Sequence, residues 1–135
     1  MQVFIDTSYL IAILKPTDDR HEKAKTVSQS LGNIQQITSE MVLTELLNAF
    51  CTRGKSFRQM ALNVLDDLRS DPNIEIIPQS TELFEQACRY YKQRLDKEYS
   101  LTDCASMVIM RERGIDKVLT HDHHFQQEGF KALLR

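Results

Sequence analysis

Glycine and cysteine are both scarce in this sequence of 135 residues. It has four glycines, none of them between Val3 and Leu31, so the glycine-rich turn that a dinucleotide-binding fold needs after its first strand is missing. The three cysteines, Cys51, Cys88 and Cys104, form no CxxC pair, and the helix-like apolar patterns around them predict buried free thiols. Because free thiols persist in a reducing compartment, we expect a cytoplasmic protein.

The sequence also lacks a strong charge of one sign and a long hydrophobic run. Its net charge of −2 gives no sign of a basic nucleic-acid coat, although a bound metal ion would add positive charge that this count omits. The longest apolar stretch, residues 9–14, is too short to cross a membrane, and the first residues resemble a strand more than a secretory signal. The length and the 41% hydrophobic content predict a single domain over residues 1–135.

Short apolar runs alternate with helical patterns along the chain. The predicted strands cover residues 3–5, 34–38, 74–77 and 117–120, with a weak strand or tail from residue 130. The predicted helices cover residues 9–14, 19–31, 39–54, 57–69, 83–95 and 100–113. This alternation predicts a three-layer α/β/α fold around a parallel sheet. Such sheets bind ligands in the crevice beyond the carboxyl ends of their strands.

Four acids follow or interrupt apolar segments where a charge is out of place, namely Asp6, Glu45, Asp103 and Asp122. A charge with apolar neighbours is costly to desolvate unless another group compensates it. If the fold gathers the four carboxylates, their mutual repulsion favours the binding of a hard divalent cation such as Mg²⁺. Carboxylate-held metal is a common means of hydrolysing phosphodiesters, so a nuclease is one candidate function.

Each acid alone also has a simpler structural explanation. Asp6 and Asp122 are suitable helix N-caps, and Asp103, three residues after Ser100, could complete a capping box. Two methionines that share the helix face of Asp103 nevertheless predict that its side chain points inward. Glu45 lies inside a predicted helix, where a glutamate is most often exposed to solvent.

The four acids together, in this order, resemble the pattern of the PIN domain family. The resemblance rests on the segments FIDTSYLIAIL, LTELLNAF, SLTDCASMVIMRERG and VLTHDHHF, and it covers residues 3 to about 134. It implies a parallel sheet of about five strands with helices on both faces. It also implies the metal-dependent cleavage of RNA to 5′-phosphate and 3′-hydroxyl ends, as in the VapC-type toxins of toxin–antitoxin pairs. The alternative is a catalytically silent PIN fold that binds RNA or protein.

The resemblance also assigns roles to particular side chains. The four acids, Asp6, Glu45, Asp103 and Asp122, match the family's catalytic carboxylates that hold Mg²⁺ or Mn²⁺. The supporting hydroxyls match Thr7 or Ser8 and Thr120. As partners, the resemblance implies an RNA substrate, a second copy of the chain in a homodimer, and a small antitoxin.

One departure from the family pattern is the crowding of three histidines, His121, His123 and His124, around Asp122. They could hold zinc together with Asp122, but adjacent side chains diverge in direction and no second Cys/His pair completes such a site. A haloacid-dehalogenase phosphatase would need an aspartate where Ser8 stands, so this alternative is disfavoured.

Residues that could contact RNA carry a weaker signal. The basic candidates are Arg53, Lys55, Lys92, Arg94 and Lys97, and the aromatic candidates are Tyr9, Tyr99 and Phe125. A solvated charged face and core packing, respectively, are the simpler interpretations of these two groups.

Overall fold

Five parallel strands form one sheet at the centre of the fold, in the order β3-β2-β1-β4-β5. The computed structural model describes all residues from Met1 to Arg135. The strands are β1 (Gln2–Ile5), β2 (Gln35–Ser39), β3 (Ile74–Ile77), β4 (Lys117–Leu119) and β5 (Lys131–Ala132). The predicted parallel sheet is confirmed, and the weak signal after residue 130 corresponds to a strand of only two residues.

The central strand, β1, is apolar throughout its buried part because it is covered on both faces. Val3, Phe4 and Ile5 are at most 1% exposed, as expected for a strand buried inside a parallel sheet. Phe4 pairs with Ile37 of β2 on one side and with Val118 of β4 on the other. These neighbours fix the register of the strands that carry the candidate site.

Seven helices cover the two faces of the sheet. They are α1 (Thr7–Leu14), α2 (His21–Leu31), α3 (Glu40–Ala49), α4 (Lys55–Ser70), α5 (Thr81–Lys92), α6 (Leu101–Arg113) and α7 (His123–Gln127). Right-handed crossovers place α1 to α4 on one face and α5 to α7 on the other, because the strand order runs in opposite directions in the two halves. The predicted three layers are therefore confirmed.

Serine caps account for several helix starts. The side chains of Ser39, Ser80 and Ser100 accept hydrogen bonds from backbone N–H groups in the first turns of α3, α5 and α6. At its other end, α6 stops at Gly114, whose positive φ of 65° suits glycine. The α3 helix ends at Ala49, before the predicted boundary near residue 54, and α5 begins at Thr81, earlier than predicted.

The sheet has its topological switch point between β1 and β4, where chain connections leave in opposite directions. The carboxyl ends of these strands are adjacent, and the backbone N–H of Asp6 donates to the carbonyl of Leu119 at 3.2 Å. At the same edge, α3 of one layer contacts α6 of the other. This crevice is where parallel sheets place their ligand sites.

The prediction of three buried thiols is wrong for two of them. Cys104 is buried in α6, whereas Cys51, in the turn after α3, and Cys88, on the outer side of α5, are exposed. The apolar patterns around these two residues belong to neighbouring positions that face the core. None of the seven helices combines the length and the apolar content that a membrane span requires.

Candidate active site

Asp6 stands at the N-cap position of α1, but its side chain caps nothing. Its Oδ2 instead accepts hydrogen bonds from the hydroxyl of Thr120 at 2.8 Å and from that of Ser8 at 3.1 Å. The two hydroxyl oxygens are 3.0 Å apart, and Asp6 is only 4% exposed. The end of β4 thus holds the carboxylate at the end of β1, and the simpler explanation as a capping side chain does not apply.

The surroundings of Asp6 oppose its ionisation. Burial raises the pKa of this carboxyl to about 7, and the nearby charges of Asp103 and Glu45 act in the same direction, against the hydrogen bond from Thr120. No lysine or arginine forms an ion pair with any of the four predicted acids. A cation entering here would therefore offset an existing repulsion.

Asp103 has both of the predicted features at once. It forms a reciprocal capping box, in which its backbone N–H donates to the Ser100 hydroxyl at 3.0 Å and its Oδ2 accepts from the Ser100 backbone at 3.1 Å. Its side chain is also turned inward, since the residue is only 7% exposed. Burial raises its pKa in spite of the hydrogen bonds from Ser100 and His124.

Glu45 lies at the mouth of the crevice and is half-buried. It lines a groove of about 200 Å³ between α3 and α6, together with Asn48, Gln79 and Thr102 among other residues. Its charge raises the pKa of Asp6, which places the two carboxylates within electrostatic reach of each other. Glu45 is therefore more than a solvated residue on the outer side of its helix.

Asp122 begins α7 as a working N-cap. Its Oδ1 accepts from the backbone N–H of His124 at 2.9 Å, and its own N–H donates to the hydroxyl of Thr120 at 3.0 Å. Its charge also raises the pKa of Asp103. Pairwise electrostatic coupling thus connects the four acids at one edge of the sheet, whereas the ligand atoms that lie within 4.8 Å of one another are those of Asp122, His123 and His124.

His124 lies between two of these acids. Its Nδ1 is 3.2 Å from Oδ2 of Asp103 and 3.3 Å from Oδ1 of Asp122, and its side chain is 15% exposed. Its ring packs against Tyr99 with centroids 5.3 Å apart. The histidine cluster is visible in the sequence, but the orientation of each ring is not. That orientation depends on the turn that the Asp122 cap forms.

The fold does not bring all three histidines together with Asp122 as a zinc site. The ligand atoms of Asp122, His123 and His124 lie within 4.8 Å of one another, whereas His121 is outside this group. His123 is mostly exposed, and its Nδ1 is 3.7 Å from Asp122.

The predicted supporting hydroxyls behave differently from one another. Ser8 and Thr120 both bond to Asp6, but the hydroxyl of Thr7 is buried without a hydrogen-bond partner. The hydroxyl of Ser106, one turn after Asp103 in α6, is likewise buried without a partner.

Another largely buried carboxylate, Glu128, whose side chain is 12% exposed, was not singled out from the sequence. It accepts hydrogen bonds from Tyr90 at 2.7 Å, Tyr99 at 2.9 Å and Arg94 at 2.9 Å; together with Arg111 these residues form what we call the Glu128 network. Arg94, a predicted RNA contact, is therefore engaged inside the protein. No local pattern reveals this network, because its members come from α5, the segment after it, α6 and the chain after α7.

The aromatic candidates for RNA stacking are core residues. Tyr9, Tyr99 and Phe125 are 6%, 5% and 0% exposed, so the simpler interpretation of core packing is confirmed. The other basic candidates, Arg53, Lys55, Lys92 and Lys97, are exposed.

Comparison with known proteins places this site in a family. Residues 3–131 match the PIN domain family. The 23S rRNA-specific endonuclease VapC20, from two strains of Mycobacterium tuberculosis, is 30% identical over 131 residues, covering 95% of each chain. The chain belongs to the PIN domain family, and the predicted resemblance to VapC-type toxins is confirmed.

Two solved structures have the same fold. The crystal structure of M. tuberculosis VapC20, described as a sarcin-ricin loop cleaving toxin, superposes with a TM-score of 0.84 and 27% identity over 95% of both chains. FitAcB from Neisseria gonorrhoeae superposes with a TM-score of 0.66 and 18% identity, over 98% of this chain and 96% of that one. At that identity, the second likeness describes the fold alone.

Proposed function

We propose that this protein is a divalent-metal-dependent endoribonuclease of the VapC toxin type. The observation that carries the proposal is the buried Asp6, whose pKa is raised to about 7 by burial and the neighbouring acids, and which forms no ion pair with a lysine or arginine. A stable fold retains such a repulsive group most readily where a cation binds. The similarity to VapC20, an endonuclease by its name, supports RNA as the substrate.

The residues of the site suit Mg²⁺ or Mn²⁺. Asp6, Glu45, Asp103 and Asp122 would hold the ion through carboxylate oxygens, the hard donors that both ions accept. In Asp6, both hydroxyl bonds go to Oδ2, which leaves Oδ1 clear of hydroxyl contacts. Asp6 and Asp103 are the most buried of the four and would be the strongest ligands.

The chemistry that such an ion supplies when bound is the activation of water and the neutralisation of charge on the scissile phosphate. The chain itself contributes fixed geometry. Thr120 and Ser8 orient the Asp6 carboxylate, and the capping box holds Asp103 in one rotamer. Carboxylates held in this way need little rearrangement during the reaction.

The path of the RNA would follow the groove beside Glu45. Asn48 lines both this groove and a second depression along α3 and α4. Arg58 lines the second depression and a third one, which extends to Lys55. Both basic side chains are exposed and can neutralise backbone phosphates. RNA bound along this line would pass the acids at one end of the groove.

The partners and the location follow from the same family relationship. We propose a homodimer that a small antitoxin blocks, acting in the cytoplasm where its RNA substrate is found, with residues 1–135 working as one domain. Light scattering on the purified chain tests the dimer. The reading frame next to the gene, co-expressed with a tagged chain, tests the antitoxin.

The direct test is RNA cleavage with Mg²⁺ or Mn²⁺, followed by EDTA. We expect cleavage that EDTA abolishes and that Asp6→Asn and Asp103→Asn each reduce at least a hundredfold, with unchanged circular dichroism. Asp66→Asn, which changes an exposed acid on α4, is the matched control and should retain activity. Cleavage that survives in EDTA or in both site variants would refute the proposal. RNA binding without cleavage would instead favour the catalytically silent PIN module.

A further inference from the structure

We propose that His124 is a ligand of the divalent ion and gives the site a preference for Mn²⁺ over Mg²⁺. The inference rests on the proposed function, because it concerns the same ion. It adds a nitrogen donor to a site that the family resemblance describes by its carboxylates alone. Its basis is the position of the imidazole between Asp103 and Asp122.

The distances around Nδ1 suit a shared ion. They are 3.2 Å to Oδ2 of Asp103 and 3.3 Å to Oδ1 of Asp122. Ligand atoms about 2.1 Å from one ion are roughly 3.0 Å apart at adjacent octahedral positions and roughly 3.4 Å apart in a tetrahedron. Each of these two distances falls within the range that neighbouring ligands of one ion adopt.

The hydrogen bond between Nδ1 of His124 and Oδ2 of Asp103 accounts for only one of these two contacts. Nδ1 carries either a single hydrogen or a lone pair, so it cannot donate in line to two carboxylates at once. Oδ1 of Asp122 also already accepts the backbone N–H of His124 at 2.9 Å. A cation placed between the three side chains would interact favourably with all of them.

The ring of His124 is held ready for this role. Its backbone is fixed by the Asp122 cap, and its ring packs at a tilt of 59° against Tyr99, whose hydroxyl donates to Glu128 at 2.9 Å. The Glu128 network thereby orients the ligand from behind, as residues around metal sites commonly do. His123 is exposed and its Nδ1 is 3.7 Å from Asp122, but its ligand atom also lies within 4.8 Å of those of Asp122 and His124, so it is the competing nitrogen donor that the test must separate from His124.

A nitrogen ligand changes the choice of ion. Mg²⁺ favours an all-oxygen octahedron and gives up water reluctantly, whereas transition ions accept imidazole more readily. The preference for Mn²⁺ over Mg²⁺ should therefore decrease when the imidazole of His124 is replaced, although the carboxylates remain.

The test combines calorimetry with pulsed electron paramagnetic resonance on the full chain loaded with Mn²⁺. We expect a nitrogen hyperfine coupling in the wild type that changes on labelling all histidines with ¹⁵N, is lost in His124→Asn and persists in His123→Asn. We also expect His124→Asn to weaken Mn²⁺ binding at least tenfold, in keeping with losses typical of altered metal environments, and Mg²⁺ binding less than threefold.

Several outcomes would overturn the inference. They are the absence of nitrogen coupling in the wild type, its survival in His124→Asn, or an equal loss of affinity for both ions. If His124→Asn fails to fold, a coupling that changes on ¹⁵N labelling and persists in both His121→Asn and His123→Asn would support the inference, whereas a coupling lost in His123→Asn would overturn it. Mn²⁺ binding with RNA cleavage but without nitrogen coupling removes only the role of His124. The absence of both binding and cleavage refutes the proposed function itself.

Discussion

Asp6 and Glu128 are both largely buried carboxylates, but the charges around them have opposite sign. Asp6 lies near Asp103 and Glu45, and burial together with these acids raises its pKa to about 7. Burial alone would raise the pKa of Glu128 as well, but hydrogen bonds from two tyrosines and Arg94 outweigh it and lower the pKa. Burial therefore does not decide the state of a carboxylate, whereas its partners do.

The comparison separates a stabilising network from a site that lacks its counter-charge. The Glu128 network supplies its own cations, so it needs nothing from solution. No lysine or arginine forms an ion pair with the four acids of the candidate site, and under the proposed function a dissolved cation would supply the missing positive charge. Tyr99 joins the two regions, since its hydroxyl bonds to Glu128 while its ring packs on His124.

The largest effect on stability should come from Glu128→Ala. Removing one member of a buried charged network leaves Arg94 without its partner, which costs about 4 kcal/mol in comparable cases. Urea unfolding at pH 7 measures the loss, with Glu85→Ala on the exposed side of α5 as the control. Since the pKa of Glu128 is lowered, its contribution is present above the unfolded value of 4.5 and is lost as the pH falls further. Equal stability of the two variants would show that the network is not stabilising.

The opposite result is expected for Asp6→Asn. Because the folded pKa of Asp6 lies above its unfolded value of 3.8, the folded state binds the additional proton, and stability decreases as the pH rises from about 4 through 7. The shift corresponds to roughly 4 kcal/mol at full ionisation. We expect the variant to gain about half of this at pH 8 in EDTA, since its amide is a weaker acceptor for the two hydroxyls.

The pH series provides the control for this prediction. At pH 4, where Asp6 is protonated in the folded protein, the wild type and Asp6→Asn should have nearly the same free energy of unfolding. A variant that is less stable than the wild type at pH 8 would indicate that the carboxylate stabilises the fold without any ion.

A smaller effect is expected for Thr120→Val, which removes a buried hydroxyl at nearly constant volume. The hydroxyl donates to Asp6 and accepts from the Asp122 backbone, so its loss should cost about 1.5 kcal/mol. Since this hydrogen bond lowers the pKa of Asp6, the pH dependence of stability in EDTA should move to higher pH. Thr26→Val on the exposed side of α2 should change neither property. An unchanged pH dependence in Thr120→Val would contradict the account.

The smallest effect is expected for Arg113→Ala, which breaks an exposed two-bond pair with Glu75. The contacts are 2.7 and 3.0 Å long, but the two side chains are 38% and 44% exposed. Exposed ion pairs contribute little because solvent screens them, so a loss of about 0.5 kcal/mol is expected in the same urea series. A loss as large as that of Glu128→Ala would show that burial does not explain why the two ion pairs differ in their contribution to stability.

Much of the fold could be predicted because its signals are local. Apolar runs such as that in β1 and the serine caps of α3, α5 and α6 act within a few residues of the chain. Helix ends were less predictable. The α3 helix stops at Ala49 although the sequence after it continues a helix-like pattern, and the exposure of Cys51 follows from that early end.

The candidate site could be predicted only as a set of acids. Their positions after strands and in helices were visible, and the fold brings them to one edge. The direction of His124 and the partners of Glu128 depend on how distant segments pack. No spacing in the sequence encodes that Tyr99 lies between these two residues.

The most direct test of the central claim is the change in the free energy of unfolding on adding Mn²⁺ or Mg²⁺ at pH 8, in the wild type and in Asp6→Asn. An ion at a hundred times its dissociation constant stabilises a folded protein by about 2.7 kcal/mol. The account predicts a gain of this size for the wild type and less than a quarter of it for the variant, which is the more stable of the two in EDTA. A wild type that neither ion stabilises, or an equal gain in both proteins, would contradict it.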